Sequence, residues 1–63
     1  MRYIIKREWP TGQTKYVHDD WPQITWTDDK LIALRMHPER ACKVSYSLML
    51  TGMTHTIQQV SEI

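Results

Sequence analysis

Two pairs of adjacent acids, Asp19-Asp20 and Asp28-Asp29, are the first candidates for chemistry in this sequence, as metal ligands or as an acid and its base. Adjacent residues point to opposite faces of a strand, and on a helix they lie about 100° apart. Neither pair converges on a point by itself. A solvated turn explains the first pair. A helix N-terminus explains the second, because acids complement the positive end of the helix dipole.

His18, His37, Cys42 and His55 are all zinc-ligand types. Structural zinc sites repeat close pairs such as C-x2-C or H-x3-5-H, and these four positions repeat none. Cys42 with a histidine makes a nucleophile pair in principle, but no local motif accompanies it. Gly12 and Gly52 stand alone, as turn and cap residues rather than parts of a phosphate-cradling loop. The expectation is a chain with no cofactor, no metal and no catalytic residues.

Binding chemistry is better represented. Trp9, Trp21 and Trp26 are three tryptophans in 63 residues that contain no phenylalanine, so they carry much of the available apolar burial. Two of them are expected to pack and one, Trp21 beside Pro22, to anchor a contact. Lys6, Arg7, Lys15 and Tyr16 offer phosphate and stacking groups on one stretch of chain. The net charge of +1 supports neither a DNA mimic nor a non-specific DNA binder.

The elements that position these residues follow from pattern. Residues 2–9 and 14–20 are rich in β-branched and aromatic types around the turn Pro10-Thr11-Gly12-Gln13, which predicts a β-hairpin. Alternation puts Tyr3 and Ile5 on one face, read as inward, and Ile4, Lys6 and Glu8 on the other. Residues 24–26 make a short third strand. Thr27 then fits an N-cap, with Asp28 and Asp29 in the first turn of a short helix that directs Leu31, Leu34 and Met36 to the core. Pro38 opens a second helix running to about Leu50, with Ala41, Val44 and Leu48 on its apolar side and Gly52 as its cap. Residues 53–60 close the chain as a strand. The order β-β-(β)-α-α-β predicts one α+β domain, a small antiparallel sheet with a short and a longer helix on one face.

A chain this short is marginally stable, and Cys42 alone gives it no internal disulfide. The lone cysteine favours a reducing, cytoplasmic setting, and the short apolar opening Tyr3-Ile4-Ile5 does not read as a secretory leader.

Tyr3-Ile4-Ile5-Lys6, together with Trp26, Thr27, Asp29, Ala33 and Arg35, resembles a group of short, largely uncharacterised bacteriophage accessory proteins. Their hairpin opens in YVIK or YIIK, and a W-T-x-D-x-x-x-A-x-R-F segment precedes a helix with an early alanine, matched by Ala41, and a closing strand resembling Ile57 and Val60. Met36 stands where the pattern has phenylalanine. The resemblance implies a bacterial host cell and a protein that binds and disables a host or defence protein. Combined with the residue reading, it yields a non-enzymatic protein-binding module, an inhibitor. The alternative is a nucleic-acid binder using the basic and aromatic hairpin. The expected contact surface is the sheet face without helices: Ile4, Lys6, Glu8, Tyr16 and His18, with Trp21 near its edge. A homodimer or a host protein would dock there.

Overall fold

Pro10 presets the backbone of a tight turn, and Gly12 completes it at φ +92°, a left-handed conformation that side chains resist. The Gly12 N–H donates to the Trp9 carbonyl at 2.9 Å and the Trp9 N–H to the Gln13 carbonyl at 2.8 Å, which folds the expected hairpin. A computed structural model of the chain describes residues 1–60. The hairpin is β1 (Arg2–Glu8) and β2 (Thr14–Asp19), followed by β3 (Thr25–Thr27), a helix α1 (Pro38–Leu50) and β4 (Thr56–Val60). All strand pairs are antiparallel, in the order β3-β2-β1-β4. The fold is α+β.

The helix forms for local reasons. Proline at its first position lacks only an N–H that would have no helical partner, and Glu39 adds charge favourable to the dipole. At the other end Gly52, at φ +75°, donates to the Met49 carbonyl at 3.0 Å, while Met53 N–H donates to the Leu48 carbonyl at 2.9 Å. This pair of bonds satisfies two carbonyls that the helix leaves open. Ala41, Val44 and Leu48 then meet Ile5, Val17 and Met36 in the core between helix and sheet. Burying each larger side chain contributes about 1.5–3 kcal/mol. Ile5 lies inward as its alternation predicts.

One region departs from the sequence reading. The expected helix over Leu31–Met36 is a single 3-10 turn at Lys30–Ile32, and an extended segment follows it. Asp29, not Thr27, is the cap: its carboxylate accepts from the Leu31 N–H at 2.9 Å. The Thr27 hydroxyl sits one step earlier and accepts from the Asp29 N–H at 3.1 Å. Leu31 and Ile32 are exposed, Leu31 to 82%, so neither is core. Leu34 and Met36 do reach the core, on alternate positions of an extended chain rather than on a helix face.

The reason lies in the sheet. The β1–β2 ladder stops at Lys6 and Tyr16, and the two strands part beyond it. Residues 34–36 enter the fork. The Tyr3 N–H donates to the Met36 carbonyl at 2.9 Å, the Met36 N–H to the Tyr3 carbonyl at 2.8 Å, and the Leu34 N–H to the Val17 carbonyl at 2.9 Å. Three such bonds, each closing a main-chain group that burial would otherwise orphan, outweigh the weak helical preference of so short a stretch.

To reach that fork from β3, on the outer side of β2, the chain must cross β2. Leu31 and Ile32 stay out of the helix-side core, while Ile4 and Ala33 are buried outside it. The crossing therefore lies on the face away from α1. That face was expected to be open, with Ile4 as an exposed apolar centre; Ile4 is instead only 1% accessible.

Candidate functional site: the β4 edge and its flank

Of the six residues expected to form a contact surface, the structure withdraws Ile4, the expected apolar centre. Ile4 is buried, and Lys6 and Tyr16, opposite each other in the ladder, are half-buried. The Lys6 ammonium lies 3.4 Å from the carboxylate of exposed Glu8. His18 is exposed at the end of β2, and Trp21 stands clear of the sheet in the following loop at 78% exposure. The basic residues of the hairpin are also divided. Lys6 and Tyr16 share the far face, whereas Arg7 and Lys15 pair on the helix side. There the Arg7 guanidinium lies 4.5 Å from the centre of the Trp9 ring, which in turn meets Trp26 edge-on at 5.4 Å. Trp9 and Trp26 are thus the packed tryptophans.

The unsatisfied surface lies elsewhere, along β4. This strand ends the sheet, so one side of its main chain has no strand partner among the described residues. The groups left over can be identified. Tyr3 spends both its N–H and its carbonyl on Met36, away from β4, and Tyr3 stands opposite Gln59. In an antiparallel ladder such a pair is the one without hydrogen bonds, so Gln59 directs its N–H and carbonyl outward. Ile57, two residues earlier, does the same. Thr56, Gln58 and Val60 face their main-chain groups to β1.

The helix completes this edge. Pro38, Cys42, Ser45 and Met49 follow one stripe of α1 by helical spacing, on the β4 side. Tyr3, Pro38, Ala41, Cys42 and Ile57 line a groove at one end of it. Met49, Met53 and His55 line a second hollow at the other. Tyr46, Met49 and Leu50 are each more than 60% exposed beside it, an apolar strip on the solvent side of the helix.

Between the two hollows sits a contact that the sequence reading did not single out. His55 Nδ1 is 3.0 Å from the Met53 carbonyl, which can only accept, so that nitrogen carries the proton. Nε2 is then the acceptor, and the Ser45 hydroxyl donates to it at 2.5 Å. A hydroxyl donating to an imidazole held by a third group is the geometry of an activated nucleophile. Ser45 and His55 lie ten residues apart and join only because the helix cap turns the chain back. The neighbouring amides of Gly52 and Met53, which an oxyanion would need, are already given to the helix carbonyls. The contact ties α1 to the segment leading into β4.

On the opposite flank of the molecule, Arg40 sets two guanidinium nitrogens on the Asp20 carboxylate, with Nε to Oδ2 at 2.7 Å. The hydrogen bond from Arg40 holds the Asp20 carboxyl below its usual pKa, against the smaller upward push of burial. Asp19 turns its own carboxylate to the Asp20 N–H at 2.8 Å. This acidic pair is structural. Among the described residues no group of three or more histidine, cysteine or acidic side chains is placed to hold a metal ion. No helix there is long and apolar enough to cross a membrane.

No protein-family model, curated protein or solved structure matches this chain.

Proposed function

We propose that the protein is a non-enzymatic binding module that takes up an extended polypeptide strand along β4. The observation that carries this reading is the outward-facing main chain of Ile57 and Gln59 beside the apolar groove of Tyr3, Pro38, Ala41 and Cys42. A strand added to a sheet edge gains main-chain hydrogen bonds. Its alternate side chains enter whatever pockets flank the edge. Here one set of side chains would lie against the α1 flank. The resemblance to phage accessory proteins supplies a context for the occupant, a host or defence protein inhibited by capture in the bacterial cytoplasm.

The nucleic-acid alternative has less support. Lys6 is engaged by Glu8, Arg7 lies over Trp9, and the two basic residues point to opposite faces of the sheet. Phosphate binding needs cations gathered on one surface.

Capture from a bacterial host lysate tests the reading, using the immobilised full chain at low and high salt. Wild-type protein should retain its partner at high salt, because main-chain and apolar contacts screen little. Tyr16→Ala, on the far face, should retain it too. Gln59→Pro should lose it, since proline removes an outward N–H and leaves the β1 ladder intact. Capture by Gln59→Pro equal to wild type overturns the reading, and capture abolished by salt alone points to phosphate.

A further inference from the structure

The Ser45–His55 contact also prepares an atom for a different partner. The imidazole gives its Nδ1 proton to the Met53 carbonyl at 3.0 Å, which fixes the ring and turns the Nε2 lone pair toward the helix. Histidines that hold metals are fixed in this way, by the other ring nitrogen donating to a carbonyl or a carboxylate. Nε2 here meets a serine hydroxyl, at 2.5 Å. That hydroxyl is a replaceable donor, because a serine within a helix can turn to the carbonyl four residues back, here that of Ala41.

Two thioethers stand on the same side. Met49 follows Ser45 by one turn of α1, where residues four apart are neighbours and long side chains lean back toward the helix start. The lean brings Met49 toward Ser45 and the imidazole. Met53 returns through the helix cap: its N–H closes on the Leu48 carbonyl and that of Gly52 on Met49, so the chain reverses over the last turn. Met49, Met53 and His55 line one hollow together with Gly52 and Thr54. A Cβ built at Gly52 would meet nothing within 4 Å, so the hollow is open on that side. Met49 is 66% exposed, and an unbranched thioether swings at little cost.

This donor set selects its ion. Two thioether sulfurs and one imidazole nitrogen bring no negative charge to balance a divalent cation, and zinc takes thiolate, imidazole and carboxylate ligands. Thioethers are soft and polarisable, which suits copper in its monovalent state. We infer that Met49, Met53 and His55 form a binding site for a soft monovalent metal ion, Cu(I). On binding, His55 Nε2 exchanges the Ser45 hydroxyl for the metal while the proton on Nδ1 stays in place, and no electron is transferred. Cys42 is soft as well, but it lies one turn before Ser45 and lines the other groove. The site does not depend on a strand docking along β4.

Anaerobic competition with bicinchoninate for Cu(I) tests the site, in the full chain carrying Cys42→Ser so that the thiol cannot take the ion. One Cu(I) per chain should bind, and Zn(II) should not compete. Met49→Leu, which keeps an apolar side chain at an exposed position, and His55→Ala should each weaken binding at least about tenfold. Losing even a supporting partner costs a metal site about 10–100-fold. Ser45→Ala should bind as tightly as its parent or tighter, because it removes the group that the ion displaces. Added Cu(I) should shift the ε-methyl resonances of Met49 and Met53, while that of Met36, buried in the core, stays in place. A Cys42→Ser chain that binds no Cu(I) overturns the inference. So does binding that either Met49→Leu or His55→Ala leaves unchanged. An ion held only when Cys42 is present belongs to the thiol, and the proposed site falls.

Discussion

The two edges of this sheet are built in opposite ways. β3 is three residues long, is bounded by a proline loop on one side and Asp28-Asp29 on the other, and leads into the crossing over β2. Trp26, at its centre, packs against the core and against Trp9. Arg40 reaches from α1 to Asp20 and fastens the adjoining loop. β4 is longer and uncharged, and it lies beside the apolar flank of the helix. Proteins commonly protect an edge with charge, proline, shortness or a covering segment. Shortness, a neighbouring proline and flanking charge all stand at β3, and none of them falls within β4. The contrast teaches that the exposed edge is not a general weakness of a small sheet: among the described residues, one edge is protected and the other is available.

The contrast breaks first at Trp26. Trp26 is partly buried against the core, so Trp26→Ala should cost up to about 3 kcal/mol, the lower end of the range for losing a large aromatic, read as a lowered urea midpoint. It should also free the β3 amides to exchange faster than those of β4. A variant that melts like wild type would mean that Trp26 does not seal its edge.

Asp29→Ala should cost about 1 kcal/mol, the usual loss for a helix cap, and loosen the crossing that leads away from β3. Thermal denaturation reads the loss. Thr27→Ala should cost less, because its hydroxyl supports the cap without being it; equal losses would restore Thr27 to the role its position in the sequence suggests.

Acid provides a gentler probe of the loop beside β3. The folded state lowers the Asp20 pKa from 3.8, so its pairing with Arg40 stabilises fully at pH values above the ordinary carboxylate range. That contribution is lost as pH falls through the lowered value. Asp20→Asn should therefore melt below wild type at neutral pH, and the gap between them should close only below about pH 4. A gap closing near pH 6 would implicate a histidine instead.

The smallest effect belongs to the crossing's own apolar residues. Leu31→Ser should shift stability by no more than about 0.5 kcal/mol, as an exposed side chain away from caps and core does. A loss of a few kcal/mol would show that Leu31 is covered in solution.

Much of this architecture was legible in the residues. Pro10 and Gly12 located the hairpin turn, Pro38 and Gly52 bounded the helix, and Ala41, Val44 and Leu48 marked its buried side. These are local signals, each set by the backbone needs of one or two residues. The segment before Pro38 was ambiguous, because Ile32, Leu34 and Met36 also alternate and fit an extended chain as well as a helix. What decided between them was the fork between β1 and β2, a partner distant in sequence. The same fork hid the fate of Ile4. Alternation placed Ile4 on the far face correctly, yet nothing local announced that a crossing would cover it. The β4 edge was equally out of reach, since being an edge depends on the order of all four strands. Ser45 and His55 gave no motif, and only the turn-back at Gly52 joins them.

The fork has a further consequence, for cooperativity. Tyr3 and Val17 each depend on a segment that enters the sheet directly before the helix. If α1 peels away, residues 34–36 lose their anchor, and the main-chain groups of two central strands are orphaned with them. If β1 frays, the helix loses the segment that leads into it. No element can therefore leave alone at small cost, and the chain should unfold in a single all-or-none step whose calorimetric and van't Hoff enthalpies agree.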